Sequence, residues 1–364
     1  MENKKQSAGR LFKVAVFLSI IFLMFLFFTY LMRNTEYHGR QNVLSFYEED
    51  TALDVVFIGA SSVCRYWDPM GAWESEGIVT GNYSVSSMHL ATYLPAIKDV
   101  LRKQNPKLIV VEARRFSRML RDDPGISAGA RNILDSMNYG LFRWESIRYF
   151  CEKMDIPWKD ALSLYIDLIQ YHDNYEAFTT KLNWQLADNK IQNDDIPGKN
   201  YKSYSLSSDL VAYEDPSENL IEGTTQINEN SLMLYEELIT YCQENEIPLL
   251  ILATPMVITK EESLEMNTIT EVTEAFGVPF FDMNLYYEEI GLDFSQDFSD
   301  PHHVNVQGAD KVTKFLAKYL VEEYDLQDHR GEPEYASWDE LYEEYRVSVE
   351  KAREKLRQKI EEEK

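Results

Sequence analysis

Five short apolar runs, separated by stretches with helical spacing, govern what this chain can fold into. They cover residues 54–60, 78–84, 107–112, 248–253 and 278–282; Val55-Val56-Phe57-Ile58 and Leu249-Leu250-Ile251-Leu252 are typical. Runs this short, bounded by Gly, Pro or Asn, read as strands buried on both faces rather than as helices. Between them, 90–104 sets Leu94, Ile97 and Leu101 at helical spacing and stops before Asn105-Pro106. Segments 232–245, 261–276 and 307–324 also read as helices. Strand and helix alternate, which implies an α/β fold: a parallel sheet with helices on both faces. A chain of 364 residues, 45% hydrophobic, has material for a sizeable core.

Three segments fall outside that rhythm. Residues 14–32 (VAVFLSIIFLMFLFFTYLM) carry no charge. At ~1.5 Å per helical residue this run can cross a ~30 Å hydrocarbon core. Lys4, Lys5, Arg10 and Lys13 precede it, so 1–13 is expected in the cytoplasm and the remainder outside. The flank Thr29-Tyr30-Leu31-Met32-Arg33-Asn34 offers no small-x-small cleavage site, so an anchor is expected rather than a removed signal peptide. Residues 33–53 read as a polar connector. Residues 114–228 contain no convincing buried strand and are rich in aromatics, Trp144, Trp158 and Trp184 among them. They read as a mostly helical insertion into a 54–330 domain, with a polar loop around 188–208 and most of its aromatics packed in its own core. Beyond Pro333, residues 331–364 place Leu341, Tyr345, Val349, Ala352, Leu356 and Ile360 at three- and four-residue steps. That is a charged amphipathic helix, free to pack on the domain, pair with another chain or stand alone, and expected to be dispensable for the site.

A net charge of −25 argues against nucleic-acid binding through phosphate contacts. Cys64, Cys151 and Cys242 show no metal-ligand spacing and are expected to be unpaired thiols. No cofactor or metal is expected.

Two motifs carry chemistry. Gly59-Ala60-Ser61-Ser62 follows the first strand, where a serine is exposed beside backbone N–H donors. Far downstream, Asp300-Pro301-His302-His303 spaces an acid and an imidazole so that Asp300 can fix the His303 tautomer and leave Nε2 free. Ser61 is therefore the candidate nucleophile, His303 the base and Asp300 the orienting acid. Ser62 is the alternative nucleophile, and Asp300 has a competing reading as a helix cap.

The two blocks, in this order at opposite ends of an α/β pattern, resemble the SGNH/GDSL hydrolase superfamily. The stretch 297–309, DFSDPHHVNVQGA, is the most specific part. The chain looks most like its membrane-anchored bacterial branch, which includes DltD-type and AlgX/AlgJ-type proteins. The resemblance spans roughly 54–320 and implies a flavodoxin-like three-layer α/β/α fold. It implies a serine esterase or O-acyltransferase acting on a cell-envelope polysaccharide, teichoic acid or lipid-linked ester. Its implied partners are the lipid bilayer and a multi-pass membrane O-acyltransferase. The superfamily's oxyanion hole uses the serine N–H, a glycine N–H from a second block and an asparagine side chain from a third. Here Ser84 stands where that glycine is expected, and Glu112-Ala113-Arg114-Arg115 replaces the third block. Ser84, Asn82 and Arg114 are the candidate donors. The departure keeps a second expectation open: a catalytically weak scaffold of the same fold that binds polymer or gathers partners.

Overall fold

The computed structural model of the chain describes residues 2–32, 38–114, 128–173 and 201–362. Strands β1 (Val55–Gly59), β2 (Thr80–Ser84), β3 (Leu108–Glu112), β4 (Leu249–Ala253) and β5 (Phe280–Asp282) form one parallel sheet, ordered β2-β1-β3-β4-β5. The first four are buried at every position, as continuous apolar runs require. β2 is the polar exception. Its Thr80 hydroxyl accepts from Trp67 Nε1 at 2.9 Å, and its Asn82 amide nitrogen donates to the Trp67 carbonyl at 3.2 Å, which partly offsets the cost of burying them.

Two helices, α1 (Glu2–Met32) and α2 (His38–Glu48), precede the sheet. The chain then leaves β1 for β2 through α3 (Ser61–Tyr66) and α4 (Pro69–Glu76), and leaves β2 for β3 through α5 (Tyr93–Lys103). The second step runs back across the sheet, so right-handed crossovers put α3 and α4 on one face and α5 on the other. In such sheets the carboxyl edge at the point where the direction reverses, here between β1 and β3, is a common location for ligand sites.

After β3 the described part of the insertion holds α6 (Ala128–Leu134), α7 (Leu141–Lys153), α8 (Trp158–Tyr165) and α9 (Asp167–Tyr171). A fully buried Arg143 locks them together. Its guanidinium donates to Asp167 at 2.8 Å and Asp135 at 3.3 Å, and to the carbonyls of Leu134 and Leu164. The insertion is helical here but not throughout. Residues 201–208 are non-helical, as the expected polar loop requires, and turn at Lys202-Ser203 between bridged Tyr201 and Tyr204; beyond them 209–228 hold only a 3₁₀ turn at Ser217–Asn219, a correction to the helical expectation there. That strap crosses the domain through Ser205 N–H to the Cys64 carbonyl and Val211 N–H to the Phe298 carbonyl. Trp184 lies outside the described residues. The expected aromatic core holds for Phe150 but fails for Trp144 and Trp158, which are exposed.

The second half of the chain adds α10 (Glu229–Glu244), α11 (Lys260–Phe276), α12 (Tyr287–Ile290), α13 (Val306–Tyr324) and α14 (Ala336–Glu362). α10 packs on α5, and α13 packs on α3 and α4, giving each face its layer.

One further reading needs correction. Residues 33–53 are not simply a polar connector: α2 lies within them and packs on β2, with Val43 and Phe46 buried. Two such side chains are worth ~1.5–3 kcal/mol each. The following residues are pinned by Gln104, whose amide donates to the Thr51 carbonyl at 3.0 Å and accepts from Leu53 N–H at 3.2 Å. For the C-terminal helix, the structure shows the first of the three arrangements left open. α14 packs on α4 and α13, burying Trp338, Tyr345, Val349 and Leu356.

Candidate active site

β1 ends in Gly59, and Ala60 precedes the first turn of α3. A Cβ on Gly59 would sit 2.7 Å from Val63 and 2.8 Å from the Glu112 Cβ, so only glycine lets α3 and β3 close on this turn. Ser61 is thus the first residue of a helix at the carboxyl edge of the sheet. Alanine is a poor N-cap, and Ala60 supplies no side-chain hydrogen bond to the helix start. Val63 N–H bonds the Ala60 carbonyl at 3.0 Å, so of the first turn only the Ser61 and Ser62 N–H groups have no carbonyl within the helix to bond.

The acid and base come from a second element. β6 (Phe298–Asp300) and β7 (His303–Val304) form an antiparallel pair in which Asp300 and His303 face each other. Val257 N–H holds the Pro301 carbonyl at 2.9 Å, and the Ser299 hydroxyl holds the His303 carbonyl at 3.1 Å. Asn305, not Asp300, caps α13, accepting from Gln307 N–H at 3.0 Å. The competing reading of Asp300 as that helix's cap therefore falls.

The two elements meet. His303 Nδ1 lies 2.8 Å from Asp300 Oδ2, and His303 Nε2 lies 2.8 Å from Ser61 Oγ. An Nδ1–H donated to the carboxylate leaves Nε2 as acceptor for the Ser61 hydroxyl. Burial pushes the His303 pKa below its usual value; Asp300 opposes this, while the nearby Arg114 and Arg65 charges add to it. The imidazole is therefore neutral at pH 7, as a base must be. Burial alone would raise the Asp300 carboxyl. The His302 N–H, at 2.9 Å, and His303 outweigh it and hold the group below its usual range, ionised.

The alternatives separate clearly. Ser62 is buried. Cys64 is buried too, and desolvation raises its pKa, so it is a poor nucleophile. All three cysteines are free thiols. His302 turns its ring away, with Nδ1 3.9 Å from a Glu262 carboxylate oxygen.

The three candidate oxyanion donors fare differently. Asn82 pairs with Phe57, two residues short of the strand end, and spends its amide on the Trp67 carbonyl, so the structure does not bring it to Ser61. Ser84 pairs with Gly59 at the right edge, but its side chain is fully buried and can contribute only backbone. Arg114 does border the triad. Its Nε donates to Glu112 at 3.0 Å, and Nη1 donates to the His302 carbonyl at 2.9 Å. It acts on the turn that carries the base.

Sequence reasoning missed Arg65 and Glu112. Arg65 was legible as the residue four after Ser61, hence on the same helical face. Glu112, buried at the end of β3, orients Arg114 through both Nε and the Arg114 N–H. Among the described residues, no group of three or more His, Cys, Asp or Glu could hold a metal.

No family model matches the chain, and no curated protein matches it either.

Proposed function

We propose that this chain is a membrane-anchored serine acyl-transfer enzyme, an SGNH-type esterase or O-acyltransferase. One observation carries the reading: Ser61, His303 and Asp300 stand in an unbroken relay with 2.8 Å at each junction. Ser61 Oγ attacks an ester carbonyl carbon as its proton passes to His303 Nε2. Asp300 stabilises the imidazolium that forms. The backbone N–H groups at the start of α3, Ser61 and Ser62, stabilise the developing oxyanion. The C–O bond to the leaving alcohol breaks, and that alcohol takes the proton back from His303. Water or a sugar hydroxyl then gives its proton to His303 and attacks the acyl carbon; the acyl–Oγ bond breaks, and Ser61 Oγ takes the proton from His303.

α1 contains a segment, 9–29, long and apolar enough to span a bilayer. With the basic residues before it, we place the catalytic domain outside the cytoplasm. Retention at the membrane favours envelope-linked or lipid-linked esters. By resemblance, a multi-pass membrane O-acyltransferase delivers the acyl group to them.

A fluorophosphonate probe on the detergent-solubilised full chain tests the chemistry. Labelling of wild type but not of Ser61→Ala supports it. An unlabelled wild type supports the scaffold reading, which the replacement of the third-block asparagine by Glu112-Ala113-Arg114-Arg115 favours. Protease added to intact cells tests the topology: digestion of the domain is expected, and its protection refutes the orientation.

A further inference from the structure

The helices of the insertion leave a set of large apolar side chains uncovered. Leu141 is 83% exposed, Trp158 70% and Trp144 57%, with Leu162 and Ile169 also exposed. They lie on α7, α8 and α9, helices that Arg143 and its two aspartates hold as a rigid unit. A soluble surface rarely carries so many, and tryptophan in particular gathers where an apolar phase meets water.

The chain itself says what lies beside them. α1 is exposed from Leu11 to Phe27. Its end is not: Thr29 is buried, and α1 packs on α9. Only residues 33–37 separate α1 from α2, and α2 is docked on both β2 and α6. A link that short spans under ~20 Å even when extended. The anchor therefore emerges at the insertion, and the domain has no tether on which to stand away from the membrane.

We infer that the exposed face of α7–α9 rests in the headgroup layer of the same bilayer that α1 spans, with Trp144, Trp158 and Leu141 as interfacial anchors. The inference rests on reading α1 as a membrane span. It goes beyond that reading by fixing how the domain sits on the lipid. α6 abuts the carboxyl edge of the sheet, where a Cβ on Gly129 would lie 1.9 Å from the Ser87 carbonyl oxygen. The lipid-facing unit thus adjoins the edge that bears Ser61.

The test uses the full chain reconstituted into phosphatidylcholine–phosphatidylglycerol vesicles. Single spin labels are placed through Leu141→Cys and Trp158→Cys. Leu285→Cys and Val347→Cys, at exposed sites on the β5 edge and on α14, serve as controls. The native cysteines are buried and do not compete for label. Flotation comes first, because a chain that does not float with the vesicles has no anchor, and both readings then fail. In floating vesicles, power saturation should show labels 141 and 158 several-fold more accessible to oxygen, relative to a water-soluble nickel chelate, than labels 285 and 347. If the chain floats but 141 and 158 read as aqueous as the controls, the inference is overturned while the anchor stands. Aqueous labels in vesicles that become shielded in native membranes would also overturn it, in favour of a protein partner on this face.

Discussion

Arg114 Nη1 donates to the backbone carbonyl of His302 at 2.9 Å, so the end of β3 grips the turn that presents His303, the proposed base. The contact has two consequences for His303. It fixes the Asp300–His303 turn against the sheet edge, and it brings a cation close enough to disfavour the imidazolium. Arg114→Gln removes the charge and weakens the grip. A displaced base costs up to ~100-fold in rate. The sign of the pH effect is fixed independently. The rate requires neutral His303 and falls as pH drops through its pKa. Removing a nearby cation raises that pKa, so the acid limb of kcat/KM should move to higher pH. A limb that stays in place would show that Arg114 acts by position alone.

Asp68 links pH to the seating of the C-terminal helix. Its carboxylate caps α4, accepting from Met70 N–H at 3.1 Å, and accepts the Tyr345 hydroxyl of α14. Burial pushes its pKa up to about 7, against the opposing pull of these hydrogen bonds. The unfolded chain releases that proton near ~4. Stability from this group is therefore complete below ~4 and is lost as pH rises to about 7, with a slope of at most ~1.4 kcal/mol per pH unit. Urea unfolding of the detergent-solubilised chain should show the decline, and Asp68→Asn should flatten it. An unchanged slope in Asp68→Asn would assign the pH dependence elsewhere.

Truncation at Gly331 removes α14 altogether. The burial of Trp338, Tyr345, Val349 and Leu356 is worth ~1.5–3 kcal/mol per side chain. That sum is comparable with a whole domain's stability of ~5–15 kcal/mol. Trp338 also packs against Trp73 at a tilt of 49° and donates to the Thr51 hydroxyl at 3.1 Å. The truncated chain should lose cooperative unfolding by circular dichroism. A sharp transition at an unchanged midpoint would make the helix an appendage after all.

How much of this was legible depended on where the physical signal sits. Val55-Val56-Phe57-Ile58 and Leu249-Leu250-Ile251-Leu252 announce themselves because a strand buried on both faces must be apolar throughout. Asp300 and His303 were legible because their reach is set by three residues of local backbone. The docking of α2 was not. Val43 and Phe46 are too few to make a stripe, and what orders the segment is Gln104, half a hundred residues away. α14 showed its apolar stripe but not its partner, since Trp73 lies far back in the chain. Arg114 was noted for its charge, yet its grip on the His302 carbonyl is a backbone contact without a sequence signature. The same holds for the first-turn N–H groups of α3, which any residue carries.

The triad makes the sharpest prediction. Ser61→Ala should abolish acyl-enzyme formation, because neighbouring Ser62 is buried and Cys64 is desolvated as a thiol. His303→Ala should cost several orders of magnitude, since an unassisted hydroxyl is a weak nucleophile near neutral pH. Asp300→Asn keeps the shape but can donate to Nδ1, which turns the imidazole proton toward Ser61 and removes its acceptor; a loss of up to ~10⁴ is expected. His302→Ala should be mild. Its ring points toward Glu262, and the carbonyl that Arg114 grips survives the substitution. Turnover of a p-nitrophenyl acyl ester by the detergent-solubilised chain measures all four, with circular dichroism to confirm folding. Equal activity in wild type and Ser61→Ala would remove the serine from the mechanism, and a deeper defect at His302 than at His303 would move the base by one residue.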